Sequence, residues 1–259
     1  MSERPFSQAT SPMIVAHRGA SHEVAENTLE AFELAVALGA DAVEFDVRIT
    51  ADGHAVVMHD PEVDRTTDGT GLVGSLTLDE IRSLLIALPS GRARVPTLTD
   101  ALSLLSGRAA VDIEIKNIPG EPDFDPEREL AVEAVHRELD ATGFVGQAII
   151  SSFNPLSIAR SRAGRPDIAT GLLTEYRVDA IAALRFAAEQ GHPWVLPFSG
   201  KVLEAGPAFP DVVHEAGLLL GTWLTDDAGE AVALARSGVD AIATNDPRGI
   251  VVAVRAAPA

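Results

Sequence analysis

The stretch Ala42-Val43-Glu44-Phe45-Asp46-Val47-Arg48-Ile49-Thr50-Ala51-Asp52-Gly53-His54-Ala55-Val56-Val57-Met58-His59-Asp60 decides how the rest of the chain is counted. Two β-rich runs, 42–47 and 55–58, flank a short polar segment. A parallel crossover needs about a dozen residues or more, so the two runs cannot be parallel neighbours joined by this segment. Asp52-Gly53 is a strong turn signal. The stretch is therefore predicted to be an antiparallel hairpin.

Outward from the hairpin, strands are predicted at 13–16, 109–115, 148–151, 168–173, 194–197, 218–223 and 241–243. Helical periodicity appears at 28–38, 78–85, 99–105, 126–139, 155–163, 179–189, 202–216, 228–237 and 248–254. The alternation points to a parallel sheet with helical crossovers. With 55–58 set aside as the hairpin partner, the remaining strands number those of an α/β (β/α)₈ TIM barrel. The 259 residues match the typical barrel of about 250. No linker interrupts the pattern, so 1–259 is expected to be one catalytic domain. Residues 60–108 exceed a standard connection and hold two short helix candidates and the turns of Asp68-Gly69-Thr70-Gly71. They are read as an inserted cap, a small helical insertion after the hairpin, of a length that is often functional.

Lys and Arg total 20 against 38 Asp and Glu, a net charge of −18. Such a surface repels nucleic acid and anionic bilayers, because binding to either is driven by basic residues. A phosphate-bearing ligand would have to be drawn by a local cation or a few aimed basic side chains. There is no cysteine, which excludes disulfides and thiolate metal sites and fits a reducing compartment. Residues 1–12 are polar, without the apolar core of a leader. No apolar run approaches the roughly 18 residues of a spanning helix. The expectation is a cytoplasmic protein without stable membrane insertion, monomeric or homodimeric.

Active sites of such barrels collect at the C-terminal strand ends. Those ends read Ala16-His17-Arg18-Gly19, Glu44-Phe45-Asp46, Met58-His59-Asp60 and Asp112-Ile113-Glu114-Ile115-Lys116. Side chains alternate along a strand, so Glu44 and Asp46 share the face opposite Val43, Phe45 and Val47. The apolar face packs on the outer helices and the carboxylates point into the barrel. Paired carboxylates repel unless one is protonated or a cation intervenes. Glu114 shares a face with Asp112 and Lys116 and could supply a third carboxylate. An all-oxygen set suits Mg²⁺ or Ca²⁺. The plainer reading of Glu44 and Asp46 is rim salt bridges. Strand-end His17 and His59 on neighbouring strands favour the metal site, and suggest a proton donor and acceptor. Arg18 offers a planar fork for phosphate and Lys116 a point charge.

These motifs, with Glu26-Asn27-Thr28, Ser151-Ser152-Phe153, Gly221-Thr222-Trp223 and Thr244-Asn245-Asp246-Pro247 following in order, resemble the glycerophosphodiester phosphodiesterase family. The resemblance implies a metal-dependent hydrolysis of glycerophosphodiesters to sn-glycerol 3-phosphate and an alcohol. It implies Glu44, Asp46 and Glu114 as ligands of one divalent cation, Mg²⁺ or Ca²⁺, and His17 and His59 as general base and general acid. Arg18 and Lys116 would contact the phosphate, with Glu26 and Asn27 supporting them. Phe153 and Trp223 would form apolar walls beside the glycerol and leaving group. The family often has Asp where this chain has Asn245, a change expected to touch structure rather than chemistry.

Two alternatives keep the fold. A lysophospholipase D-type enzyme acting on lysolipids would want an apolar apron at the mouth, for which the insertion offers Leu72, Val73, Leu76 and Leu78. A non-catalytic barrel that binds a phosphate ligand would not need the complete histidine and carboxylate sets. Asp60 would either orient His59 or cap the insertion. His22, His54, His136, His192 and His214 are expected to be structural or solvent-facing, Trp194 to pack in the core, and 120–129 to be a solvated loop entering a helix.

Overall fold

The computed structural model describes residues 12–144 and 146–257. The segment 1–12 read above for a leader lies, but for Pro12, outside them. The chain begins β1 (Met13–His17), α1 (Leu29–Ala37), β2 (Ala42–Ile49), β3 (Ala55–Val57), α2 (Leu78–Ser83), β4 (Leu85–Leu88), β5 (Gly91–Arg94) and α3 (Leu98–Leu105). It continues β6 (Ala110–Ile115), α4 (Leu130–Thr142), β7 (Ala148–Ser152), α5 (Pro155–Gly164), β8 (Ala169–Leu173), α6 (Ala180–Gln190) and β9 (Trp194–Leu196). The last elements are α7 (Ser199–Ala205), α8 (Phe209–Glu215), β10 (Leu219–Thr222), α9 (Ala228–Ser237), β11 (Ala241–Thr244) and α10 (Pro247–Ala256).

Eight parallel strands close the expected barrel in the order β1-β2-β6-β7-β8-β9-β10-β11 and back to β1. Their outward side chains pack on the helices; Val43, Phe45, Val47, Ile113 and Ile115 lie in one such layer with Phe32, Leu98 and Leu102. Inward, Val15, Ala42, Ile149, Leu173, Trp194, Leu196 and Ala241 fill the lower barrel. β3 pairs antiparallel with the far end of β2, Val47 opposite Val57. The turn between them holds Gly53 at φ 83°, as the Asp52-Gly53 reading requires.

The insertion departs from expectation in two ways. Helix 78–85 stops at Ser83, because Leu85-Ile86-Ala87-Leu88 forms β4 against β5 in a second hairpin. A short apolar run without clear periodicity fits either state, and here the partner strand decides. Helix α3, counted with the cap, is the barrel helix between β2 and β6: Leu98, Ala101, Leu102 and Leu105 lie in the layer under β2 and β6. The rest of the excursion folds over its own small core of Val56, Met58, Val63, Val73, Ile81, Ile86 and Val95. Elsewhere, the helix expected over 202–216 is two helices, α7 and α8. Gly206 takes φ 91° and Pro207 follows, and the residue before a proline is driven from helical geometry. Helix α4 starts at Leu130 because Glu129 is left-handed, φ 51°.

The turn after β1 explains why its sequence is Ala-His-Arg-Gly. Gly19 has φ +81°, and a Cβ there would sit 2.7 Å from the backbone carbon of Ala31. Gly19→Ala should therefore cost about 2–5 kcal/mol, combining left-handed strain with overpacking, seen as a lower urea midpoint. Leu102→Ala should lose a similar amount of global stability, about 2–5 kcal/mol, because α3 belongs to the barrel; a loss confined to local opening of the cap would contradict that placement.

Candidate active site

The long β2 and its neighbour β6 run in register with Glu44 beside Asp112 and Asp46 beside Glu114. Four inward carboxyls therefore crowd the upper barrel. Oxygens of Glu44, Asp46 and Glu114 lie within 4.8 Å of one another, all buried. Arg18 and Lys116 answer them. Lys116 Nζ is 2.7 Å from Glu114 Oε1 and 3.3 Å from Asp46 Oδ1. Arg18 Nε is 3.2 Å from Asp46 Oδ2, and its backbone N–H donates to Glu44 Oε2 at 2.8 Å. That amide reaches Glu44 because Arg18 adopts φ 56°, a costly conformation for a side-chain-bearing residue. Asn27, at φ 58°, donates from Nδ2 to Asp46 Oδ2 at 2.8 Å.

Three carboxylates thus face two fixed cations, leaving one negative charge uncompensated. Glu44 Oε1 is buried with no hydrogen-bond partner. Burial, then the neighbouring Asp46 and Glu114, pushes the Glu44 carboxyl well above its ordinary range. Against the cost of burial, Lys116 and Arg18 hold Asp46 well below it. A hard divalent cation fits this donor set, since it would meet the orphaned oxygen and remove the surplus charge. Beneath the three, burial pushes Asp112 up to about 7, although its carboxyl accepts from Ser151 at 2.7 Å. Asp112 and Ser151 line the same cavity, of about 240 Å³, as His17, Arg18, His59, Lys116, Phe153 and Trp223.

The two histidines are held differently. His17 Nδ1 lies 2.7 Å from Asn245 Oδ1, so Asn245, expected to touch structure rather than chemistry, bonds a candidate site residue directly. The Asn245 amide is oriented by Asp226, whose Oδ2 accepts from Nδ2 at 2.9 Å and whose Oδ1 accepts from the backbone N–H at 2.7 Å. A carboxylate only accepts, so the amide NH₂ faces Asp226 and the amide oxygen faces His17. His17 then carries its proton on Nδ1 and leaves Nε2 as the basic nitrogen. Burial, followed by the charge of Arg18, lowers the His17 pKa to about 4, so the ring is neutral at neutral pH. Burial lowers the His59 pKa as well, but its Nδ1 meets the Asp60 carboxylate at 2.5 Å, a partner that opposes that fall by favouring the imidazolium. Asp60 orients His59, which resolves the choice left open from sequence.

Glu26, expected to support the phosphate-contacting groups, lies against Arg18. It accepts from Arg18 Nη1 at 3.0 Å and from Arg65 at 2.6 and 3.0 Å. Trp223 and Phe153 stack edge to face with centroids 5.1 Å apart, and Phe198, not anticipated, packs on Trp223 at 5.5 Å. Trp194 is almost wholly buried yet contributes to the cavity floor. His136, His192 and His214 pair with Ser161, Thr170 and Asp240, away from the site. Of the four residues offered for an apolar apron, Val73 is buried in the cap core with Leu76 and Leu78 packed on it, and Leu72 is half-buried. Exposed Leu156, Tyr176, Val178 and Ile181 instead follow β7 and β8.

Arg48 was invisible as a functional residue in the sequence. Fully buried, its Nε donates to the His59 carbonyl at 2.8 Å and its Nη1 to the Lys116 carbonyl at 3.3 Å. The same guanidinium pairs with Asp123 and Glu121, each at 2.8 Å. The acidic loop 120–129 is thus not merely solvated; it neutralises a buried cation that holds the backbone of two site residues.

The profile of the Glycerophosphoryl diester phosphodiesterase family matches residues 17–248. A glycerophosphodiester phosphodiesterase of Caldanaerobacter subterraneus subsp. tengcongensis is 34% identical over 253 residues, spanning 94% of this chain and 98% of its own. Among solved structures, a glycerophosphodiester phosphodiesterase from Agrobacterium tumefaciens superposes with a TM-score of 0.78 at 29% identity, over 93% of this chain and 99% of that one. An Oleispira antarctica phosphodiesterase in complex with the product sn-glycerol-3-phosphate superposes with a TM-score of 0.79 at 26% identity, over 95% and 98%. The chain therefore belongs to the glycerophosphoryl diester phosphodiesterase family and is a hydrolytic enzyme of that family.

Proposed function

We propose that this enzyme hydrolyses glycerophosphodiesters to sn-glycerol 3-phosphate and an alcohol, with His17 as general base and His59 as general acid. The observation that carries the assignment is the difference in their Nδ1 partners, an amide oxygen for His17 and a carboxylate for His59. The product bound by the Oleispira relative supports the glycerol 3-phosphate side of the reaction. Glu44, Asp46 and Glu114 would hold one divalent cation, Mg²⁺ or Ca²⁺. When bound, it supplies Lewis-acid polarisation of a non-bridging phosphate oxygen.

Arg18 and Lys116 sit against the carboxylates and the cavity, where they can take up charge that grows on the phosphoryl oxygens. His17 Nε2 accepts the proton of the attacking oxygen as its bond to phosphorus forms. The bond to the leaving alcohol breaks with its electron pair on that oxygen, which takes the proton of His59. Phe153 and Trp223 shape the apolar side of the cavity for the glycerol and leaving group. A net charge of −18 excludes nucleic acid from this reading. Among the described residues no helix is long and apolar enough to cross a membrane. The reading includes a cytoplasmic location and a monomer or homodimer.

A lysolipid substrate is the second reading, favoured by the exposed Leu156, Tyr176, Val178 and Ile181. A coupled glycerol 3-phosphate assay on glycerophosphocholine should give turnover abolished by EDTA and restored by Mg²⁺ or Ca²⁺. Turnover indifferent to chelation would remove the metal from the reading, and turnover on lysophosphatidylcholine alone would select the lysolipid. The acid–base assignment predicts a leaving-group signature. His17→Ala should lose on the order of 10²–10⁴ in kcat on every ester. His59→Ala should lose as much on glycerophosphocholine but little on a p-nitrophenyl ester, whose leaving group departs without a proton; the reverse pattern would exchange the two roles.

A further inference from the structure

We propose that Arg65, in the cap, is a positioning residue that orients His59 through Asp60 and Arg18 through Glu26. Its guanidinium lies between two carboxylates. Nε and Nη2 donate to Asp60 Oδ2 and Oδ1 at 2.5 and 3.1 Å, while Nη1 and Nη2 donate to Glu26 Oε2 and Oε1 at 3.0 and 2.6 Å. Beyond those carboxylates stand the site residues: Asp60 meets His59 Nδ1, and Glu26 meets Arg18 Nη1. A continuous chain of charged hydrogen bonds thus runs Arg18–Glu26–Arg65–Asp60–His59 across the mouth of the barrel.

Most exposed ion pairs contribute little, but a bidentate guanidinium in a network is the exception, because its planar fork fixes geometry on both partners. Arg65 commits four contacts in this way from a turn closed by Thr67 N–H to the Val63 carbonyl, and Val63 is buried in the cap core. The cap is therefore tied to the site by this side chain. Without Arg65, Asp60 would be free to rotate toward solvent or toward the cations of the site. The charged groups facing His59 are Asp60, Asp46, Lys116 and Arg18, and among the described residues only Asp60 bonds the ring. His59 would then lose the partner that aims its Nε2. Glu26 would remain bound to Arg18 by a single contact.

This inference rests on the reading of His59 as general acid, and the experiment separates the two. Arg65 is half exposed, so its replacement leaves the folded core untouched. The metal-loaded full-length enzyme is assayed on glycerophosphocholine and on the p-nitrophenyl ester of glycerol 3-phosphate. Arg65→Gln should lower kcat on the choline ester by about tenfold to a hundredfold while sparing kcat on the p-nitrophenyl ester, and should raise KM on both through Arg18. Arg65→Lys should recover part of the KM but not the leaving-group difference, since an ammonium cannot span two carboxylates as a fork does. Equal slowing of both esters in Arg65→Gln, no slowing, or full recovery in Arg65→Lys would overturn the proposal. His59→Ala is run alongside. If it spares the p-nitrophenyl ester and Arg65→Gln does not discriminate, the role of Arg65 alone falls. If His59→Ala slows both esters equally, the general-acid reading falls and takes the Arg65 role with it.

Discussion

Burying Glu44, Asp46 and Glu114 within 4.8 Å of one another is tolerable only if positive charge is brought into the barrel with them. Most of the upper barrel is arranged around that requirement. Lys116 reaches two of the carboxylates from the end of β6, and Arg18 reaches two from the turn after β1, one with its backbone and one with its side chain. The backbone contact demands left-handed geometry at Arg18, and the glycine that follows lets the turn pass close under Ala31. Binding chemistry and local strain are one problem here. Under the proposed function the groups that compensate the carboxylates would also meet the anionic phosphodiester, so neutralisation in the resting protein and recognition of substrate would use the same side chains.

The histidines illustrate a second economy. Both are imidazoles at strand ends beside the same cluster, and burial lowers the pKa of both, yet their Nδ1 partners differ. The amide of Asn245, itself locked by Asp226, presents only an acceptor without charge, whereas Asp60 presents a full carboxylate. Under the proposed function, a difference of one functional group behind each ring would separate base from acid more clearly than the identity of the ring does.

Much of this was legible in the sequence because it rests on local rules. Strand alternation placed Glu44 and Asp46 inward, and the brevity of the segment around Asp52-Gly53 turned nine strands into a barrel plus a hairpin. What escaped depends on partners distant in the chain. Arg48 read as one more residue of a strand, because its acids lie on a loop after β6 and its targets are backbone carbonyls. Asn245 read as a structural exchange, because nothing local says that the end of β11 faces the end of β1. The second hairpin escaped because Leu85-Ile86-Ala87-Leu88 fits a helix as well as a strand, and the break at Gly206-Pro207 was overridden by an apolar periodicity that runs through it.

The cap's attachment to the barrel has a consequence for how such an enzyme can diversify. Val57 N–H donates to the Pro96 carbonyl at 2.9 Å, and Val56 bridges to Thr97, so the chain leaves the barrel and returns to it at neighbouring points. With its ends joined and its own apolar core, the excursion is a closed module, and lengthening or replacing it would add only the slowly growing cost of a longer loop. Its first residues are the exception, because the turn through Arg65 is hydrogen-bonded to Asp60 and Glu26, which in turn meet His59 and Arg18; a graft that begins after Thr67 would keep those bonds, whereas one that begins at Pro61 would remove them.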